Sequence, residues 1–286
     1  MIVVTGATGQ LGRLVIAQLI ERGVAAQQIV AAVRTPAKAA DLAALGLQVR
    51  EADYTRPATL ASAFKGAARV LLISSSEVGQ RLPQHRAVID AAREARVGQL
   101  VYTSLLRADS SPLGLAAEHT ATEALIAASG LPHVLLRNGW YTENYLASVA
   151  PALQHGAFIG AAGSGHIASA TRADYAAAAA AVLAQPVGSN RSYELAGDTS
   201  YTLAELVAEL NRQTGRAVVY QDLPQQAFEA ALVGAGLPAP FAALLADSDA
   251  GAAKGALFDD GHQLGTLIGR PTTPLAVAMK AALAKA

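Results

Sequence analysis

Cysteine is absent from the 286 residues, which excludes disulfides, thiolate metal sites and thiol catalysis. Charge is sparse: only 15% of the chain is Asp, Glu, Lys or Arg, and 22 acids balance 22 bases. With a pI near 7 there is no basic footprint of the kind that nucleic acid or anionic lipid requires, so neither is expected as a partner. The six histidines (His85, His119, His133, His155, His166 and His262) show no paired metal-ligand spacing, and no metal is expected. Long apolar runs are missing too. The most apolar helical run, 173–184, is alanine-rich, carries Asp174 and is too short to span a bilayer, so no membrane insertion is expected. The first residues read as a strand and not as a signal peptide, because a charged leader and a cleavage site are lacking. These absences point to a cytoplasmic protein without metal or thiol chemistry.

Apolar material, by contrast, is plentiful. Hydrophobic residues make up 52% of the chain, enough for one large α/β domain or a domain with an added lobe, and the abundance of alanine favours closely packed helices. The informative stretch is Val3-Val4-Thr5-Gly6-Ala7-Thr8-Gly9-Gln10-Leu11-Gly12. Ile2 to Val4 read as a buried strand, and Leu11 to Arg22 as an amphipathic helix with Leu11, Leu14, Val15, Leu19 and Ile20 on one face. A strand entering a glycine turn that opens a helix is the context of a dinucleotide fingerprint. Gly6 permits the tight turn, Gly9 leaves room for a pyrophosphate, and Gly12 lets the helix pack close to the strand. The helix N-terminus offers free N–H groups to phosphates. Gly6, Ala7, Thr8, Gly9, Gln10 and Leu11 are therefore candidate cofactor-binding residues.

Strand and helix alternate onward through Asn138. Strands are read at 29–33, 47–49, 70–73, 100–103 and 134–136, and helices at 37–45, 57–64, 83–96 and 116–129. This alternation predicts a Rossmann-type, doubly wound parallel sheet over residues 1–139. Beyond Trp140 the pattern loosens: a helix over 142–153, a glycine-rich hairpin or loop over 156–169, a helix at 172–183 that Thr171 can cap, a helix at 203–214, a strand at 218–223 and proline-broken helices after it. Residues 140–286 are read mainly as a smaller, substrate-binding lobe over the carboxyl edge of the sheet, with about 170–197 returning to the sheet.

In NAD-selective folds an acid about twenty positions past the glycines binds the ribose 2′-hydroxyl. Here the second strand ends in Val33-Arg34-Thr35, with no carboxylate. An arginine there can pair with a 2′-phosphate through its planar fork, and Lys38 can add charge, so NADPH is the expected cofactor. A solvated surface arginine is the alternative. Asp53 and Tyr54 can border the adenine or simply form a loop turn. Ser74, Ser75 and Ser76 after the fourth strand, and Thr103 and Ser104 after the fifth, lie on the ligand edge, where small hydroxyls bond ribose or nicotinamide. Turn or capping chemistry is their alternative, with Ser74 and Thr103 the favoured pair.

Thr5-Gly-Ala-Thr-Gly-Gln-Leu-Gly12, Val33-Arg34 and Ala52-Asp-Tyr54 together resemble the NmrA-like branch of the atypical short-chain dehydrogenases. Leu72-Ile-Ser-Ser-Ser-Glu-Val-Gly-Gln80, Tyr102-Thr-Ser-Leu-Leu106, Ser111-Pro-Leu-Gly-Leu115 and Leu136 to Tyr145 are similar to its bacterial quinone reductases, as are Phe158 to Ala162 and Asp247-Ser-Asp249. The resemblance spans essentially the whole chain. It implies NADPH binding and two-electron reduction of quinones. Reductases of triphenylmethane dyes are close relatives, and NmrA regulators themselves bind the nucleotide without redox chemistry.

Typical short-chain dehydrogenases use Tyr-x-x-x-Lys on the helix after the fifth strand, and that pair is absent here. A ketone yields a strongly basic alkoxide that needs a positioned acid. A quinone yields a hydroquinone anion whose charge spreads into the ring, so it tolerates the loss. What remains is positioning. Asn138 can bond the nicotinamide amide or the quinone oxygen. Trp140, Tyr141 and Tyr145 can wall a planar substrate, although Trp140 can equally be packing. Asn138 and Tyr141 rank ahead of His119 as catalytic candidates. No flavin signal is present, so direct hydride transfer is expected; a homodimer is compatible with the sequence. An NADPH-dependent quinone reductase leads, ahead of a reductase of dyes or other extended electrophiles and a non-enzymatic NADP-responsive sensor.

Overall fold

A computed structural model describes residues 1–284. The elements in chain order are β1 (Ile2–Thr5), α1 (Gln10–Glu21), β2 (Ile29–Val33), α2 (Ala40–Ala44), β3 (Gln48–Glu51), α3 (Pro57–Ala63), β4 (Arg69–Leu72) and α4 (Arg81–Glu94). They continue with β5 (Gln99–Leu105), α5 (Ala116–Ala128), β6 (His133–Asn138), α6 (Thr142–Leu146), α7 (Val149–His155), β7 (Ala157–Gly160), α8 (Arg172–Ala184) and β8 (Arg191–Leu195). The last are α9 (Leu203–Thr214), β9 (Val219–Asp222), α10 (Gln225–Gly234), α11 (Ala239–Ala252), α12 (Gln263–Ile268) and α13 (Leu275–Leu283).

Seven strands form one sheet in the order β3-β2-β1-β4-β5-β6-β8, and the pairings from β3 through β6 are all parallel. This is the doubly wound Rossmann sheet that the alternation predicts. The inner strands β1, β2 and β5 are buried along their whole length because helices cover both faces, whereas the outer strands β3 and β8 are polar and half exposed. On one face Val3, Val30, Val70, Leu100 and Leu135 meet Phe64, Val88 and Ile126. Against α1 packs α8, buried along Asp174–Leu183, and its run of alanines lets the two backbones come close. The chain leaves β1 for β2 and β3 on one side and returns to β4 on the other. The order therefore reverses between β1 and β4, where a crevice opens at the carboxyl ends.

Contacts divide the chain into two compact units. The first comprises residues 1–109, 117–138 and 172–194; the second comprises 110–116, 139–171 and 195–286. In the second, β7 pairs in parallel with β9, and α10 packs on α11 through Phe228, Leu232, Ala242 and Ala246. Helix α9 starts at a capping box in which Thr202 Oγ1 accepts from the Glu205 N–H and Glu205 Oε2 accepts from the Thr202 N–H.

Three local expectations are corrected. Of the two readings of 156–169, hairpin or loop, the loop holds over 161–169, but 157–160 is the strand β7, whose partner β9 lies some sixty residues away, and short-range turn signals carry no trace of that pairing. The single helix expected over 142–153 is two, α6 and α7, with Pro151 in the first turn of α7. A continuous helix would set the proline ring against the Ala147 carbonyl, so the chain breaks at 147–148. Thr103, Ser104 and Asn138 lie inside β5 and β6, not after them.

Candidate active site

The site grows from the turn after β1. Gly6 adopts φ +58°, a left-handed conformation open to glycine, and its carbonyl accepts from the Gly9 N–H at 2.9 Å. A Cβ on Gly12 would stand 2.4 Å from the Gly6 oxygen and 2.8 Å from Ala7 Cα, so the helix start is pressed onto the turn as only glycine allows. No side chain caps α1, and no acid sits in its first turn. Its leading N–H groups and positive dipole end are left for an anion.

This turn is one wall of a cleft of about 420 Å³. Of the expected cofactor residues, Gly6, Thr8, Gly9, Gln10, Leu11, Arg34, Asp53, Tyr54 and all three serines line it. Ala7 is fully buried beneath, and Thr103, Ser104 and Asn138 are not on its wall. Thr35, Lys38, Thr55, Glu77 and Gln84 line it as well. Lys38 was visible as a charge near Arg34. Glu77 and Gln84 carried no local signal, because only the return of β4 beside β1 brings them there.

The cleft walls are held by buried polar contacts. The Tyr54 hydroxyl donates to Thr5 Oγ1 at 2.5 Å and lies 3.1 Å from the Ile73 carbonyl oxygen, tying the loop after β3 to the ends of β1 and β4. Burial pushes that hydroxyl's pKa well up, so it stays a donor. Asp53 Oδ1 accepts from both the N–H and the Oγ1 of Thr55, and these bonds hold its pKa below the usual carboxylate value. Asp53 thus borders the cleft and forms the loop turn at once. Thr103 Oγ1 accepts from the Ser74 N–H at 2.9 Å, so it supports the serine loop from within β5.

The Ser75 peptide is gripped at both ends: its N–H donates to His85 Nε2 at 3.0 Å, and its carbonyl accepts from Arg81 Nε at 2.6 Å. Thr122 Oγ1 donates to the Glu118 carbonyl and therefore accepts from His85 Nδ1–H, which defines the tautomer. Burial first, then the charge of Arg81, bring the His85 pKa down to about 4. The imidazole is neutral at physiological pH, as an acceptor must be.

His119 is buried with Nδ1 2.7 Å from the Tyr102 hydroxyl; burial and Arg81 hold its pKa down at about 3. Ser104 donates to Glu123 Oε1 at 2.5 Å, and Glu123 is also gripped by Arg137. Asn138, 5% exposed, has a buried Oδ1 with no hydrogen-bond partner among the described residues. An amide oxygen left so costs stability unless a donor arrives.

In the second unit Trp140 and Tyr145 pack with ring centroids 6.3 Å apart and border a cavity of about 30 Å³ together with Phe158, Phe228 and Asp249. That is room for about one water, so a ring-sized guest would enter only with side-chain movement. Tyr141 does not line this cavity; its backbone bridges to Ala170. The Tyr145 hydroxyl donates to Asp249 Oδ1 at 2.9 Å, and Oδ2 accepts from the Ala161 N–H at 2.9 Å.

Burial raises the Asp249 pKa from 3.8 to about 6. The folded state therefore binds this proton more tightly than the unfolded chain. On this account stability is fullest below pH 4 and falls as pH rises through 6. An asparagine in its place can accept from the Ala161 N–H and donate to the Tyr145 oxygen without a charge. Asp249→Asn is expected to match the parent near pH 4 and to be roughly 2–3 kcal/mol more stable at pH 7.5, read by urea denaturation. A stability difference independent of pH would contradict the raised acid.

A doubly wound sheet with a glycine turn, an uncapped helix start and a cleft at its switch point defines a dinucleotide-binding protein of the Rossmann class. Comparison agrees: a family described as NAD(P)H-binding matches residues 6–186. Quinone oxidoreductase 2 of Escherichia coli strain K12 is 60% identical over 276 residues, 96% of each chain. The crystal structure of the E. coli NADPH-dependent quinone oxidoreductase QOR2 with NADPH superposes with a TM-score of 0.96 at 59% identity, covering 99% of this chain and 100% of that one. The Citrobacter sp. triphenylmethane reductase complexed with NADP(H) gives a TM-score of 0.94 at 38% identity, covering 99% and 100%. The chain belongs to the NAD(P)H-binding family, in the NmrA-like group that holds quinone oxidoreductase 2.

Proposed function

We propose that this protein is an NADPH-dependent quinone reductase that works in the cytoplasm on a small planar quinone, with no bound flavin or metal. The observation that carries the reading is the 60% identity to quinone oxidoreductase 2 along 96% of both chains. The cleft fits the nucleotide: its glycine turn closes on itself so tightly that a Cβ on Gly12 would strike backbone, and no side chain among the described residues caps the start of α1. NADPH supplies a hydride, and with one proton the quinone leaves as hydroquinone.

The chain's own residues hold and orient. The turn and α1 hold the pyrophosphate, Arg34 and Lys38 the 2′-phosphate, and Ser74 to Ser76 the ribose side, with Thr103 behind them. The Asn138 Oδ1, without a partner among the described residues, suits an amide N–H of a carboxamide such as the nicotinamide's. Trp140, Tyr141 and Tyr145 would receive the quinone, with movement of the side chains that close the small cavity beside Trp140 and Tyr145. On α5, His119 is neutral, so its imidazolium form is not there to donate, and it is tied to Tyr102, while Glu123 is taken up by Ser104 and Arg137. A hydroquinone anion needs no positioned acid, and solvent can supply its proton.

The test is NADPH oxidation by purified protein with and without a benzoquinone, repeated with NADH and with a triphenylmethane dye. Quinone-dependent turnover by a colourless protein is expected. A protein that purifies yellow would overturn direct transfer, turnover of the dye alone would favour the dye-reductase reading, and tight NADPH binding without turnover would favour the sensor.

A further inference from the structure

No acid follows β2, yet a carboxylate reaches Arg34 from the loop after β4. Glu77, in the loop after β4, accepts from Arg34 Nη1 through Oε1 at 3.1 Å and from Gln84 Nε2 through Oε2 at 2.7 Å. Gln84 is buried on α4, and the Glu77 N–H donates to Ser75 Oγ at 3.1 Å. The carboxylate is therefore braced by the protein where it meets the guanidinium, and Arg34, Glu77 and Gln84 all line the cleft.

We infer that Glu77 is the internal counter-ion of Arg34 and a determinant of cofactor selectivity, competing with a 2′-phosphate for the guanidinium. The inference rests on the reading that this cleft takes NADPH. A guanidinium fork makes its best bidentate pair with one anion at a time. A 2′-phosphate that engages Arg34 must displace or share the Glu77 contact, and it meets the repulsion of a nearby carboxylate. NADH carries no such phosphate and leaves the pair intact. Glu77 thus lowers the preference for NADPH over NADH that Arg34 alone would set.

The experiment titrates the parent, Glu77→Gln, Arg34→Gln and the double variant with NADPH, NADH and adenosine 2′,5′-bisphosphate at low ionic strength, where screening is weakest. Glutamine keeps the size and an acceptor for Gln84. Glu77→Gln is expected to tighten NADPH and the bisphosphate about three- to fivefold, the scale of one exposed ion pair, and to change NADH by less than about 1.5-fold. The gain should vanish in the Arg34→Gln background. Unchanged or weaker NADPH binding by Glu77→Gln, with the parent binding NADPH normally, overturns the inference alone. A parent that binds neither NADPH nor the bisphosphate overturns the cleft reading along with it.

Discussion

Arg34→Glu is expected to weaken NADPH binding by roughly 100-fold and NADH binding by less than about threefold. Arg34 directly follows β2, the neighbour of β1, lines the cleft with Lys38, and has a side chain 71% exposed. Its ion pair with Glu77 is exposed too, so the guanidinium is free to reorient towards a ligand. The substitution removes a charge-assisted fork and sets a second carboxylate beside Glu77, so a dianionic 2′-phosphate meets repulsion from two sides. NADH offers a hydroxyl at that position, which a carboxylate can accept. Calorimetric titration of both nucleotides decides the matter. Equal losses for the two would place Arg34 outside the 2′-phosphate site.

Arg137→Met is expected to lower stability by about 3 kcal/mol, at the lower end of what removing one partner from a buried ion pair costs. Arg137 lies on β6 with a side chain 12% exposed and gathers three carboxylates. Nε and Nη2 grip Glu123 at 3.0 and 2.7 Å, and Nη1 reaches Glu194 at 2.8 Å and Asp109 at 3.1 Å. These bonds raise the guanidinium pKa above its already high value. Methionine keeps the stem's packing but leaves Glu123, whose side chain is 10% exposed, with Ser104 as its remaining side-chain donor. Pairing the change with Glu123→Leu should recover much of the loss, since the stranded charge goes with it. Urea denaturation of the two variants reads both effects. A single variant as stable as the parent would show that Arg137 does not neutralise its cluster.

The fold was legible where the pattern is local. Val3, Val4, Val30, Val70, Val101 and Leu135 read as buried strands because both sheet faces are covered; the 3.6-residue period of α1 is legible too, but the face it buries is Leu11, Val15, Ile16 and Leu19, with Leu14 half-buried and Ile20 exposed. The glycine turn was legible residue by residue: Gly6 has the left-handed φ its place demands, and Gly12 has no room for a Cβ. The break between α6 and α7 could have been read from Pro151, while the β7–β9 pairing could not, since its partners lie about sixty residues apart.

The class of this protein follows from its residues alone: a strand, a glycine turn and a helix, followed by alternating elements, leave few topologies other than the doubly wound sheet with its cleft at the reversal. So does the chemistry that is missing, because an absent cysteine or an absent Tyr-x-x-x-Lys pair needs no coordinates. Who partners whom came from the packing of the whole chain. The carboxylate that β2 lacks arrives as Glu77 from beyond β4, His85 reaches across from α4 to hold the Ser75 peptide, and Asn138 is left with a buried oxygen that meets no donor among the described residues. Such contacts depend on which strand returns beside β1, a global choice that no short window of residues records.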